Sequence, residues 1–143
     1  MALDFDIVPS NAAAGGSDHN LVLSSWMHQT LMGSGHRAVV EWLLDQWGTI
    51  VAVHPEHREQ IFGWLCGGIN EDQEPVLHMV YVRNAWRQQG VGAALMKKLT
   101  PALGDKRVWL THEPRASRKH PKAWEGLVSS WGLVYNPYKV LKL

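Results

Sequence analysis

The chain has 143 residues, 45% of them apolar and 19% charged, with a formal net charge of +1, one cysteine and eight tryptophans. That length predicts a single domain over residues 1–143, with apolar surface for one core and no space for a second catalytic domain. Near-neutral charge argues mildly against a nucleic-acid partner, Cys66 alone cannot make an internal disulfide, and neither a leader nor a long apolar span is evident, so a cytoplasmic protein with no membrane partner is expected.

Leu3, Phe5 and Ile7 alternate with Asp4, Asp6 and Val8, which predicts a half-buried first strand ended by Pro9. Small residues over 11–17 read as a loop. Leu23, Trp26, Met27 and Leu31 share one side of a helix over 21–31, which Gly33-Ser34-Gly35 breaks. Val39, Val40, Leu43 and Trp47 recur at helical spacing, with Gly48 as a stop. Residues 49–53 and 61–69 then read as a hairpin around a turn at 54–59, and the apolar run 76–82 as the next strand.

An amphipathic helix is expected over 91–103, ended by Pro101 and Gly104, and a short strand over 107–111. Pro121 suits a first helical position, Trp124, Leu127, Val128 and Trp131 form a stripe behind it, and Gly132 closes that helix. The tail over 133–143, interrupted by Asn136-Pro137, reads as a strand pair or as a strand plus extended chain.

The most informative stretch is Arg87-Gln88-Gln89-Gly90-Val91-Gly92-Ala93, a turn with two glycines between an apolar strand and a helix. Glycines let the backbone approach a bulky anion, and the first amides of a helix lack intrahelical acceptors, so the turn reads as a pyrophosphate cradle. A P-loop would need Gly-Lys followed by Ser or Thr, whereas Gly90 precedes Val91 and Gly92 precedes Ala93. A dinucleotide fingerprint would need Gly or Ala where Leu95 stands.

Arg-x-x-Gly-x-Gly-Ala after Leu77-His78-Met79-Val80-Tyr81-Val82 resembles the signature strand and helix of the GNAT superfamily of N-acetyltransferases. Residues 78–92 are similar in particular to the arylalkylamine acetyltransferases, through Ala85-Trp86-Arg87-Gln88-Gln89-Gly90. The Trp-rich early region and the Tyr135-Asn136-Pro137-Tyr138 tail are similar to members encoded by bacteriophages. The resemblance implies an α/β (α+β) fold. Its mixed, mostly antiparallel sheet has six to seven strands and about four helices, and it splays between the fourth and fifth strands.

The same resemblance implies acetyl-coenzyme A as cosubstrate, attacked directly by a primary amine in a ternary complex. It places the coenzyme on backbone groups of Val80, Tyr81 and Val82 and on the turn formed by Arg87, Gln88, Gln89, Gly90, Val91, Gly92 and Ala93. The pantetheine arm is expected between residues 80–82 and 108–110.

His78 is the candidate base, because imidazole accepts a proton near neutral pH. Period two sets it on the face of Val76, Val80 and Val82, and the family's second histidine is matched by Val76. A structural histidine on a half-buried strand is the competing reading. The family's tyrosine acid is matched by Val128, so Tyr81, Thr111, His112, Tyr135 and Tyr138 stand as substitutes, with His112 and Tyr135 ahead.

Trp26, His28 and Trp42 are candidate walls of the acceptor site, although core packing explains the tryptophans equally well. His54 and His57 in a turn call for no metal. Arg115, Arg118, Lys119, His120 and Lys122 form a basic loop, either solvated or aimed at the coenzyme 3′-phosphate or an acidic substrate. The acceptor amine belongs to a small molecule or a protein, and a homodimer is compatible with the sequence. The alternative is a catalytically weak acyl-coenzyme A binding module that acts through a protein partner.

Overall fold

A computed structural model describes residues 3–29, 34–100 and 107–140. Six strands form one sheet in chain order: β1 (Asp6–Pro9), β2 (Thr49–Val53), β3 (Ile61–Ile69), β4 (Pro75–Val82), β5 (Val108–Leu110) and β6 (Leu133–Tyr135). The first four pair antiparallel, whereas β4–β5 and β5–β6 are parallel and need crossovers. The first crossover contains α3 (Val91–Leu99), and the second contains α4 (Ala116–Lys119) and α5 (Pro121–Trp131). Between β1 and β2 lie α1 (His19–Gln29) and α2 (Arg37–Gln46), with a 3-10 turn at Ser34–His36. None of these helices is long and apolar enough to cross a membrane.

The element order is the expected one, with differences at the ends. Pro9 ends β1 as expected, opposite Ile50 on an edge strand, but pairing starts only at Asp6. The basic loop carries the short helix α4, and the tail folds as a 3-10 turn at Pro137–Val140 after a single strand. That turn is fixed by Lys139, whose Nζ lies 3.0 Å from Glu74 Oε1 and 5.0 Å from the Trp109 ring centre. Leu31, Gly33, Pro101 and Gly104 fall outside the described residues.

Two apolar clusters cover the two faces of the sheet. Val22, Leu23, Trp26, Val40, Leu43, Leu44 and Trp47 from α1, α2 and its end pack on Val51, Trp64, Cys66, Val76 and Met79. On the opposite face Val91, Leu95, Met96 and Leu99 of α3 meet Phe62, Leu65, Leu77, Val108 and Leu133, with Trp124, Val128 and Trp131 of α5 half-buried around them. Leu127 belongs to the same sequence stripe but is 40% exposed, so α5 packs through a narrower seam than its spacing suggests.

The feature of the sheet that matters most for the site is a bulge in β4. Cys66 of β3 faces Met79 and its neighbour Gly67 faces Leu77, which leaves His78 as the extra residue. Gly67 makes this approach feasible, since a Cβ there would lie 2.4 Å from the Val76 carbonyl oxygen. The bulge reverses the alternation beyond it. Val76, Met79 and Tyr81 belong to the α1–α2 face, and Leu77, Val80 and Val82 to the α3–α5 face.

This packing predicts opposite effects for two glycine substitutions. Gly67→Ala forces backbone against backbone and should destabilise the fold by about 1–3 kcal/mol or more in urea titrations. Gly126→Ala, in α5 with open space around the added Cβ, should stabilise it by roughly 0.5–1 kcal/mol. Equal midpoints for the two variants would contradict the placement of the bulge.

Candidate active site

β5 pairs with β4 only at Val76 and Leu77, and one further bond, Thr111 N–H to the Leu77 carbonyl at 3.1 Å, closes the ladder. The two strands therefore part after Leu77, which leaves residues 79–82 paired only with β3. Val108–Leu110, which the sequence sets opposite residues 80–82, lies beside Val76 and Leu77 instead.

The end of β4 leads into the glycine turn through a 3-10 turn at Asn84–Trp86. Arg87 folds back, its Nε donating to the Val82 carbonyl at 2.9 Å and its guanidinium lying 5.8 Å from the Tyr81 ring centre. Two residues then take left-handed backbone conformations, Gln88 at φ 65° and Gly90 at φ 85°. Glycine carries that conformation without the Cβ clash an L side chain meets, and Gly90 N-caps α3. The first helical bond runs from Ala94 N–H to the Gly90 carbonyl at 3.0 Å. The amides of Val91, Gly92 and Ala93 consequently have no helical acceptor and sit at the positive end of the α3 dipole.

Gly92 has a different role from Gly90. A Cβ on it would sit 3.6 Å from Trp131 and from Val82, at ordinary van der Waals distance, so Gly92 faces α5 and β4 where Gly90 faces open space.

On the α1–α2 face the bulge turns His78 into a buried polar chain. His78 is fully buried, with its ring centre 4.4 Å from that of Trp47. Its Nδ1 lies 2.7 Å from Thr111 Oγ1, and the same hydroxyl lies 2.8 Å from His112 Nδ1. His112 Nε2 then approaches His36 Nε2 at 2.6 Å. Because of the bulge, His78 shares this face with Val76 but not with Val80 and Val82, which corrects the period-two reading. Burial, and then the neighbouring His36, pushes the His112 pKa down to about 4; burial also lowers that of His36.

A cleft of about 320 Å³ opens on the same face between α1 and the β3–β4 pair. Leu21, Ser24, Ser25 and His28 line it from α1, and Ile61, Trp64, Tyr81 and Arg83 from the sheet. Ser25 Oγ accepts the Trp64 indole N–H at 2.8 Å and so holds that wall upright. Of the residues expected here, His28 and Tyr81 line the cleft. Trp26 lies behind it, fully buried, 5.6 Å from Trp64 and 5.4 Å from His112 between ring centres. Trp42 is 41% exposed on α2 and does not line the cleft. Tyr135 is 45% exposed on β6 beside Leu110, and Val128 packs in the α5 seam.

His36, Arg83, Ser24 and Ser25 enlarge the candidate set, and none of them carried a sequence signal, whereas Thr111, expected as a substitute acid, is placed between His78 and His112. His36 sits 76 residues from His112 in the chain, and no local spacing connects them. Among the described residues no three His, Cys, Asp or Glu side chains converge as a metal site requires.

A sequence profile of the acetyltransferase (GNAT) family matches residues 22–120. The chain belongs to that family. The GNAT domain also appears in its likeness to solved structures. A ribosomal-protein-alanine N-acetyltransferase from Brucella melitensis biovar Abortus 2308 superposes with a TM-score of 0.57 at 16% identity, over 87% of this chain and 91% of the other. NAA60 of Arabidopsis thaliana, in complex with acetyl-coenzyme A, gives 0.55 at 14% identity over 87% and 83%. AAC(6')-Iy, bound to a bisubstrate analogue of coenzyme A and acetylneamine, gives 0.53 at 13% over 92% of both chains. At these identities the likeness is one of fold. No curated protein matches the sequence at a significant level.

The buried His112 gives this GNAT domain a predicted acid sensitivity. In the unfolded chain His112 takes up a proton near pH 6.5, whereas the folded site resists protonation until about pH 4. The unfolded state therefore binds more protons in that window, and stability falls as pH drops through it, by an amount on the order of 3 kcal/mol. Thermal midpoints from pH 7.5 to 4 should fall steeply for the wild type and less for His112→Gln. Parallel curves would contradict the burial argument.

Proposed function

We propose that this GNAT domain transfers the acetyl group of acetyl-coenzyme A to a primary amine by direct attack in a ternary complex. The observation that carries this reading is the juxtaposition of the left-handed Gly90 turn with the open edge of β4. Free amides at 91–93 suit the pyrophosphate, and the unpaired edge over residues 79–82 suits the amides of the pantetheine arm. The space beyond Gly90, where an added Cβ would meet nothing within 4 Å, leaves access to the turn. Acetyl-coenzyme A bound there supplies the activated acyl group.

In this reading Arg87 holds the turn against the end of β4 through the Val82 carbonyl. His78 takes the proton of the incoming amine, directly or through water. The cleft beside α1 receives the amine, with Tyr81, His28 and Arg83 at its wall. Its floor of Trp64, Ile61 and Leu21 favours an acceptor with an apolar body. The complexes of the fold relatives with acetyl-coenzyme A and with an aminoglycoside bisubstrate analogue support the donor and the amine class.

Ala93→Glu separates coenzyme binding from folding. Ala93 is exposed in the first turn of α3, where a carboxylate stabilises the helix by roughly 0.3–1 kcal/mol yet repels a pyrophosphate. Wild-type protein at a hundred times the dissociation constant should gain about 2.7 kcal/mol, a rise of several degrees in the thermal midpoint. The variant should keep its own midpoint and lose most of that rise. A full rise in Ala93→Glu would move the pyrophosphate away from this turn.

A further inference from the structure

The cleft beside α1 carries charge of one sign. Arg83 stands in its wall just past the end of β4, and the elements that enclose it, α1, β3 and β4, have no Asp or Glu along their whole length. The carboxylate just ahead of α1, that of Asp18, is already held by Arg58, Ser10 and the Asn11 amide. Arg83 gives one N–H to the Ile61 carbonyl at 3.3 Å, is exposed, and meets no carboxylate among the described residues. A guanidinium presents five N–H donors in a planar fork, so most of that fork is available to a ligand.

The other polar groups of the lining do not offset this charge. Ser24 Oγ donates to the Asn20 carbonyl and Ser25 Oγ to the Leu21 carbonyl, the latter at 2.7 Å, so both hydroxyl protons are turned back onto α1. From the turn beyond β4, Arg87 brings a second guanidinium to the Tyr81 ring. The rest of the lining is apolar and aromatic, with the Trp64 and Tyr81 rings 6.2 Å apart between centres and tilted by 40°. A multiply charged amine would find no counter-charge in such a cleft. An acidic group would find a fork that matches two oxygens in parallel bonds.

We propose that the cleft selects a small primary amine bearing an acidic group, a carboxylate or a phosphate, at the far end of an apolar or aromatic body, and that Arg83 reads the acid. This inference rests on the reading of the cleft as the acceptor site. In that reading the pyrophosphate lies at the glycine turn and the pantetheine arm runs back along residues 79–82, so the acetyl group sits up the strand from Arg83. Tyr81 precedes Arg83 by two residues, roughly 6–7 Å of extended chain. The amine and the acid are therefore separated by at least about that distance. An α-amino acid, with both groups on one carbon, does not span it. A volume of about 320 Å³ suits one ring with two short substituents.

A series of amines of one shape tests the proposal. 4-(Aminomethyl)benzoate, benzylamine and 1,4-bis(aminomethyl)benzene set an acid, a hydrogen and an ammonium opposite the reacting amine, and 4-(aminomethyl)phenylphosphonate supplies the phosphate-like arm. Each is assayed with acetyl-coenzyme A for kcat/KM, and its binding to protein loaded with coenzyme A is followed by calorimetry. The wild type should favour an acid over benzylamine by at least about tenfold, and benzylamine over the diamine. The better of the two acids identifies the group that Arg83 takes. Arg83→Gln should bring the ratio of acid to benzylamine toward one, and Arg83→Glu should turn the preference toward the diamine.

Equal kcat/KM for the acids and benzylamine, or a preference that survives Arg83→Gln, would overturn the proposal while leaving acetyl transfer intact. A raised KM for acetyl-coenzyme A in Arg83→Gln, with the acid preference kept, would give Arg83 to the coenzyme and overturn it as well. So would the failure of both acids to bind. Binding of the acids that depends on Arg83, with no acetyl transfer to any amine of the series, would uphold the selection by the cleft and sink the transfer reading instead.

Discussion

The extra residue in β4 is the constraint on which the site depends. Opposite Gly67, whose missing side chain lets the Val76 carbonyl come close, the strand admits His78 and reverses its alternation. One consequence is local: the imidazole turns toward α1 and α2, beneath Trp47 and beside Thr111. β5 follows β4 for only two residues and then leaves, so residues 79–82 beyond the bulge pair only with β3. A buried imidazole and the start of an open strand edge thus lie together at one irregularity in one strand.

The two faces of the sheet then divide the labour. On the α3–α5 side the requirements are mechanical. Val91, Leu95 and Met96 fix α3 on the sheet, and Gly92 faces Trp131 at van der Waals distance. On the α1–α2 side the requirements are chemical, with a cleft lined by serines, a histidine and an arginine over a Trp64 floor, and the imidazole series behind it. The buried Cys66 thiol, pushed up to about 12 by burial, sits in that same core as an inert apolar group. Asp18 anchors the entry to α1. Burial would raise its carboxyl, but bonds from Arg58, Ser10 and the Asn11 amide outweigh this and hold it below the usual range.

The strands and helices were legible in the sequence because their apolar spacing is regular and their ends carry glycine or proline. Gly132 closes α5 at φ 64° and Pro121 opens it, as their positions imply. The glycine turn was legible for the same reason, since left-handed backbone has few chemical solutions. The bulge was not. Leu77-His78-Met79 reads as ordinary alternation, and what breaks the register is a glycine ten residues earlier on a different strand. Nor could the sequence join His36 to His112, since that contact forms only after both helices and the sheet have packed. Trp26 and Trp42 illustrate the converse. Their aromatic character suggests a cleft wall, yet helix phase buries one completely and turns the other to solvent.

The central claim is that one ligand spans the open β4 edge and the amides at the start of α3. Amide hydrogen exchange with and without acetyl-coenzyme A tests it directly, because both sets of N–H groups are protected only if they gain acceptors. The account predicts slower exchange over residues 79–82 and 88–93 together, with little change in β1 and β2. Protection confined to other parts of the chain, or no protection by a ligand that binds, would contradict it.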